Sequence, residues 1–271
     1  MKKSVLIVLA LLLAGTAWPQ RSFYLSLGVG AGLGTASTYD FYQDNLKVYP
    51  VALGKGLNVV LRPGIFVNKF LAVELGIAYR YGFATKIEPT FDYYPEKATS
   101  MTQILKFSGN MFQLIPALVI SPDLGSGKVF PYIRLGVIVG VMPSTICKID
   151  ETVTLLGGTT RTQATMKYYG GVAIGGSAAI GCDFNLGEHF ALFAEIYYDA
   201  LSYAPTKGKF TKFEENDVDK LPEMNVDEKE VKFVKDLTDY EPSDDQPSQL
   251  LKNSYPFNAL GLTIGFKYKL K

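Results

Sequence analysis

The sequence predicts an all-β fold: an eight-stranded antiparallel up-and-down transmembrane β-barrel, with short periplasmic turns and long extracellular loops. Three observations carry that expectation. Eight segments alternate large apolar residues with small, polar or charged ones, and a period of two sends the two sets to opposite faces of a strand. The apolar face has no helices elsewhere in the chain to cover it, which suits a sheet whose outside meets lipid. The connections alternate between short and long, as they do when turns face the periplasm and loops face outward.

Residues 1–20 read as a cleaved secretory signal peptide. Lys2 and Lys3 supply the positive start, Val5–Leu13 the apolar core, and Gly15 and Ala17 the small residues of a cleavage site. Gln20 offers a later cut, and Trp18-Pro19 ends a run too short to span a bilayer. Residues 21–271 are the expected barrel, with a long acidic extracellular loop at about 201–255. A net charge of +1 argues against nucleic acid as a partner. After the signal no apolar run is long enough for a membrane helix.

The first strand is expected at Phe23–Leu33, with Phe23, Leu25, Leu27, Val29 and Leu33 outward and Ser26, Gly28, Gly30 and Gly32 inward. Glycines in a row weaken a strand, so here they should make room for large inward side chains opposite. The second strand, about Leu57–Val67, sends Asn58, Arg62 and Gly64 inward, and Asn68-Lys69 turns it into the third. The third has the cleanest alternation, Leu71 to Tyr81 outward against Ala72, Glu74, Gly76, Ala78 and Arg80. The fourth, Met111–Ile120, carries Gln113 inward and Pro116, which lacks a donor and predicts a bulge or kink.

Gly125-Ser126-Gly127-Lys128 looks like the tail of a phosphate loop, but Pro122 and Val129 stand where Gly and Ser or Thr belong. The fifth strand, Pro131–Val141, turns Tyr132 and Arg134 inward. The sixth, Tyr168–Asn185, turns Ser177, Gly181 and Asp183 inward. The seventh places Phe193, Glu195, Tyr197 and Asp199 inward, and the eighth, Ala259–Lys271, places Thr263, Lys267 and Lys269 there. The long connections are then Ala36–Gly56, Phe83–Asn110, Met142–Lys167 and Leu201–Tyr255.

Phe70–Tyr81 (FLAVELGIAYRY), Pro131–Gly136 (PYIRLG) and Phe193–Tyr198 (FAEIYY) resemble the outer-membrane β-barrel family common in Bacteroidetes, often labelled PorT-like. In architecture these proteins are similar to OmpA and OmpX barrels. The resemblance covers the whole mature chain and implies a bacterial outer-membrane location. Gln113 stands where such proteins often have an inward Glu, and no peptidoglycan-binding domain is expected after the eighth strand.

The inward charges form an expected lumen network of Arg62, Glu74, Arg80, Arg134, Asp183, Glu195, Asp199, Lys267 and Lys269. Alternating strand direction puts Arg62, Glu74, Arg134 and Glu195 near mid-height. Asp183, Lys267 and Lys269 fall near the periplasmic end, and Arg80 and Asp199 near the outer end. Acids and bases at each level predict ion pairs that fill a lumen too narrow to conduct. The function expected is a non-enzymatic barrel with a structural or surface-interaction role. The alternatives are an accessory of a secretion or envelope-assembly machine, a small-solute channel and a lipid-modifying enzyme.

Catalytic, cofactor and metal sites are expected to be absent. His189, the single histidine, belongs at a periplasmic turn, remote from an outer-face Ser, and Ser177 lies inside a strand. Cys147 and Cys182 fall at opposite membrane faces, too far apart for a disulfide. The segment Thr206–Lys252 holds thirteen Asp or Glu and eight Lys. A solvated, mobile loop is the expectation there, with a short amphipathic helix at Val226–Leu237. Expected partners are outer-membrane lipid and lipopolysaccharide, the barrel-assembly machinery and a protein partner at the extracellular loops.

Overall fold

The computed structural model describes residues 23–36, 38–39, 48–49, 52–89, 98–122, 128–237, 241 and 243–270. The expected signal peptide therefore lies outside the described residues, as do residues 123–127 of the Gly-Ser-Gly turn.

Eight strands close on themselves: β1 (Phe23–Gly34), β2 (Gly56–Phe66), β3 (Leu71–Gly82), β4 (Ala98–Ile120), β5 (Val129–Leu155), β6 (Ala173–Asn185), β7 (Phe190–Tyr203) and β8 (Ala259–Leu270). Each pairs antiparallel with its sequence neighbours, and β8 returns to β1 in a register running from Phe23↔Leu270 to Gly34↔Ala259. The closing pair satisfies the last free edge, which a lipid-embedded sheet requires.

The expected facing holds in all eight strands. Phe23, Leu25, Leu27 and Val29 are exposed while Tyr24, Ser26 and Gly28 are buried, and β7 alternates without a break over its 14 residues. Exposed aromatics cluster towards both ends of the apolar band. Phe190 packs on Tyr268 at 4.9 Å near the periplasmic end, and Tyr79 on Phe112 at 4.8 Å near the outer end. Such girdles sit at the two membrane interfaces.

The glycines of β1 do make room. A Cβ on Gly28 would stand 2.8 Å from the Phe193 ring, and one on Gly32 would stand 2.6 Å from the Tyr197 hydroxyl. The same device recurs where the Tyr24 ring covers Gly64 and the Tyr132 ring covers Gly181. At the β2–β3 turn Asn68 Oδ1 accepts from the backbone N–H of Phe70 at 2.8 Å and of Leu71 at 2.9 Å. That local cap lets four residues reverse the chain.

Outside the membrane the structure departs from the expected loops. β4 begins at Ala98 and β5 runs to Leu155, so much of the expected loops Phe83–Asn110 and Met142–Lys167 is an antiparallel ladder that continues the two strands above the barrel. Gly158–Tyr169 is a separate strand on the far side of β5, and the expected start of the sixth strand at Tyr168 is corrected to Ala173. The cause is Gly170-Gly171, whose φ of 77° and 79° breaks the chain direction between the two.

The acidic segment is built into the same sheet. Lys207–Glu215 pairs with Gly158–Tyr169, Glu230–Val234 with Lys207–Lys209, and Ser248–Leu251 runs parallel to Glu230–Val234 at the sheet edge. The helix expected over Val226–Leu237 is one turn, Val226–Lys229, capped by Asn225 and Glu228. Val231 then alternates with its neighbours as strand, because its side chain is buried against Cys147 and Met166.

Pro116 keeps register with Leu75 on one side, and the β4–β5 register on either side of it is unshifted. The bulge sits instead where Asn110 pairs Ser144 but Phe112 pairs Val141, giving β5 one extra residue. Met142 holds this bulge at φ 48°. Odd-numbered β5 residues face outward below it and even-numbered ones above.

Candidate functional site

Period-two alternation carries the polar residues of all eight strands into one lumen, where they stack in layers. At mid-height Glu195 of β7 is the hub. Arg62 of β2 donates to its Oε1 at 2.7 Å, Arg134 of β5 pairs with its Oε2, and the Tyr132 hydroxyl donates to Oε2 at 2.8 Å. Arg134 also reaches Glu74 at 3.8 Å, and Tyr24 donates to Glu74 Oε1 at 2.8 Å. Arg62 lies over the Phe193 ring at 5.5 Å, so its planar face is covered as well.

Nearer the periplasm Lys267 pairs with Asp183 at 2.5 Å and stands 5.0 Å from the ring centres of both Tyr24 and Tyr132. Lys269 points inward too, but its partner is Asn185 Oδ1 at 2.8 Å, with the Phe130 ring below it. Towards the outer end Arg80 pairs with Asp199 and donates to the Phe257 carbonyl at 3.1 Å, while Ser177 donates to Asp199 at 2.7 Å. All nine residues of the expected network thus line one lumen, as five cations and four carboxylates.

Between the middle and outer layers lies a cavity of about 20 Å³, bordered by Asn58, Gln113 and Thr263. Asn58 Oδ1, Gln113 Nε2 and Thr263 Oγ1 are buried without a protein partner. A polar space of that size suits a single water.

Above the Arg80–Asp199 layer the lumen turns apolar. Leu53, Met111, Ile138, Leu201, Tyr203 and Phe257 form one buried cluster across the outer mouth. Phe257 is fixed by its N–H donating to Leu201 O at 2.8 Å, and Leu53 by its N–H donating to Pro256 O at 3.2 Å. Sequence reasoning missed this cap because Leu53 and Phe257 lie just outside strands, where no periodicity marks an apolar residue as inward. Their one signal was a bulky side chain at the border of each long connection.

A second apolar cluster of Cys147, Met166 and Val231, with Phe107, Ile149 and Phe210 against it, continues on the inner face of the extracellular sheet. Burial pushes the Cys147 thiol up to about 12. On the outer face, Asp150 accepts from Arg161 at 2.9 and 3.1 Å, which holds its carboxyl below the usual range.

Ser177 and His189 stand at opposite ends of the barrel, since the His189 ring meets Lys269 O at 3.0 Å near the periplasmic turn. Cys147 and Cys182 are both free. Among the described residues no group of three His, Cys, Asp or Glu side chains has metal-binding geometry.

Residues 5–220 match the family model described as the outer membrane protein beta-barrel domain. No curated protein matches the chain. Among solved structures it is similar to the outer membrane protein OprG from Pseudomonas aeruginosa, at 13% identity over 92% of this chain and 95% of that one, with a TM-score of 0.48. A major outer membrane protein from Thermus thermophilus matches at 12% identity over 93% and 100%, TM-score 0.45. Neisserial surface protein A matches at 11% over 93% and 100%, TM-score 0.38.

Proposed function

The chain belongs to the outer membrane protein β-barrel domain family and is a protein of the bacterial outer membrane, and from that premise we infer that it is a non-enzymatic barrel with a plugged lumen. Residues 1–20 serve as its export signal, and its role is structural or exercised at the extracellular surface. The observation that carries the reading is the stack of two seals. Ion pairs cross the lumen at three heights, and the apolar cluster around Leu53 and Phe257 lies over them. Permeation would have to break charge pairs that are out of water, at several kcal/mol each.

Planar-bilayer recording of the purified full-length protein tests this. The expected result is a silent bilayer; stable unitary conductance would favour the small-solute channel and end the plug reading. Against a lipid-modifying enzyme stands the separation of Ser177 from His189.

An accessory role in a secretion or envelope-assembly machine, of the PorT-like kind, has one observation in its favour. The extracellular sheet ends on Ser248–Leu251, an edge strand whose Leu250 and Leu251 are exposed. Unpaired strand edges recruit further chains. Cross-linking in cells followed by pull-down is expected to capture a protein partner through this edge, and no capture with any loop intact would leave the structural role alone.

A further inference from the structure

The extracellular sheet has a cationic face that the closed lumen does not use. Directly opposite residues share a face of a sheet. Lys86 lies across from Lys106, and Lys106 across from Lys148. Two residues nearer the barrel, Lys167 lies across from Lys209, and next to that pair Lys207 lies across from Lys232. These lysines come from strands scattered between residues 85 and 234, so no run of sequence marks them as a group.

Carboxylates on the same face are few and mostly taken. Asp150 is held by Arg161, Glu214 by Lys212 and Glu88 by Lys86; Glu230 lies across from Lys209 without an ion pair. Among the described residues, Lys106, Lys148, Lys167, Lys207, Lys209 and Lys232 have no carboxylate within ion-pair distance. Like charges directly opposite destabilise a sheet, so the array asks for a counter-charge from outside the chain.

The place of the array identifies the counter-charge. On β4 the outward parity continues unbroken from lipid-facing Phe112 to Asn110, Ser108 and Lys106, and the β5 bulge brings Lys148 to the same side. The lysine face is therefore the upward continuation of the lipid-facing wall. Counted from the Phe112–Val141 row, it begins two residues up at Lys207 and reaches six residues up at Lys106. That is about 7 to 20 Å along strands, or ~5 to 15 Å of height at the usual tilt. The acids of Lys207–Glu215 lie at its far end, away from the bilayer.

We propose that this face binds the phosphate groups of outer-leaflet lipid, the phosphorylated lipid A portion of lipopolysaccharide packed around the barrel. Lysines at the height of the head groups neutralise phosphates on one side, and the acidic distal end keeps the segment from lying down on an anionic surface. The inference rests on the outer-membrane placement alone and stands whether or not the lumen conducts.

The test reconstitutes the full chain in phosphatidylcholine bilayers and titrates fluorescent bisphosphorylated lipid A. A Lys106→Gln/Lys148→Gln/Lys167→Gln/Lys209→Gln variant is compared with a distal control, Lys220→Gln. The four-lysine variant is expected to bind at least about tenfold more weakly, the control within about twofold of the parent, and added salt to weaken the parent most. Lipid A stripped of its phosphates should bind the parent as weakly as the variant binds intact lipid. Replacing the same four lysines by Arg should keep binding. Without lipid A, the four-lysine variant should unfold no earlier than the parent, since its like-charge neighbours are gone, which separates lost binding from misfolding. Equal affinity of parent and variant overturns the proposal. So does indifference to phosphate removal, or capture of a soluble sulfated polysaccharide with no lipid A.

Discussion

Glu195 receives Arg62, Arg134 and the Tyr132 hydroxyl on its two oxygens. Removing it leaves two buried guanidinium groups facing one another, and breaking a buried pair in this way costs about 3–5 kcal/mol. Glu195→Ala should therefore lower the unfolding midpoint well below that of Lys269→Ala, whose partner is a neutral amide; heat-modifiable gel mobility in a urea series measures both. Gly28→Ala should cost about 1–3 kcal/mol by overpacking, because its Cβ would meet Phe193 at 2.8 Å. Adding Phe193→Leu to the same chain should return part of that loss, and the same urea series reads it. These residues were legible in sequence because each sits on a strand whose opposite parity is unbroken and apolar. Gln113 was visible as inward, but its position beside a water-sized cavity depends on Asn58 and Thr263 of distant strands. No single strand carries that information.

At the scale of elements, the extracellular sheet stands or falls by its inner face. Cys147 lies under Val231, Met166 and Phe210, and burial pushes its thiol up from 9.0 to about 12. In the folded chain the thiol keeps its proton between those values, whereas the unfolded chain loses it. Stability of this sheet should hold below about pH 9 and decline as pH climbs towards 12. In a Cys182→Ala background, a water-soluble maleimide should leave Cys147 unlabelled at pH 8 until denaturant is added. Replacing residues 207–252 by a short Gly-Ser link should keep the heat-modifiable barrel but make Cys147 label in the native state. A protected Cys147 in that deletion would mean the segment covers nothing. The sequence hid this sheet for a physical reason. Outside the membrane both faces of a strand can be mixed, Lys and Glu flank short apolar residues, and pairing partners lie far apart in the chain.

For the molecule as a whole, lipid imposes the strongest rule, that every backbone group in the bilayer be paired. The rule left one solution, a closed ring, and made strand number, order and facing readable from alternation alone. Water imposes no such rule above the membrane, and there the expectations needed correction. The border between the two regimes is the single extra residue at Met142. It acts as a half-period shift. Below it the odd residues of β5 meet lipid, and above it the even ones look outward, so that Lys148 is outside and Cys147 inside. Deleting Met142 alone would straighten β5 and leave its upper half facing as it does, with Pro143 alone opposite Met111, whereas losing one residue above an intact bulge would turn over everything beyond it. Losing or gaining two residues higher up would only shorten or lengthen the ladder. Above Met142, length changes in β5 are thus viable only in even steps, and the one odd step the strand tolerates is the loss of the bulge itself.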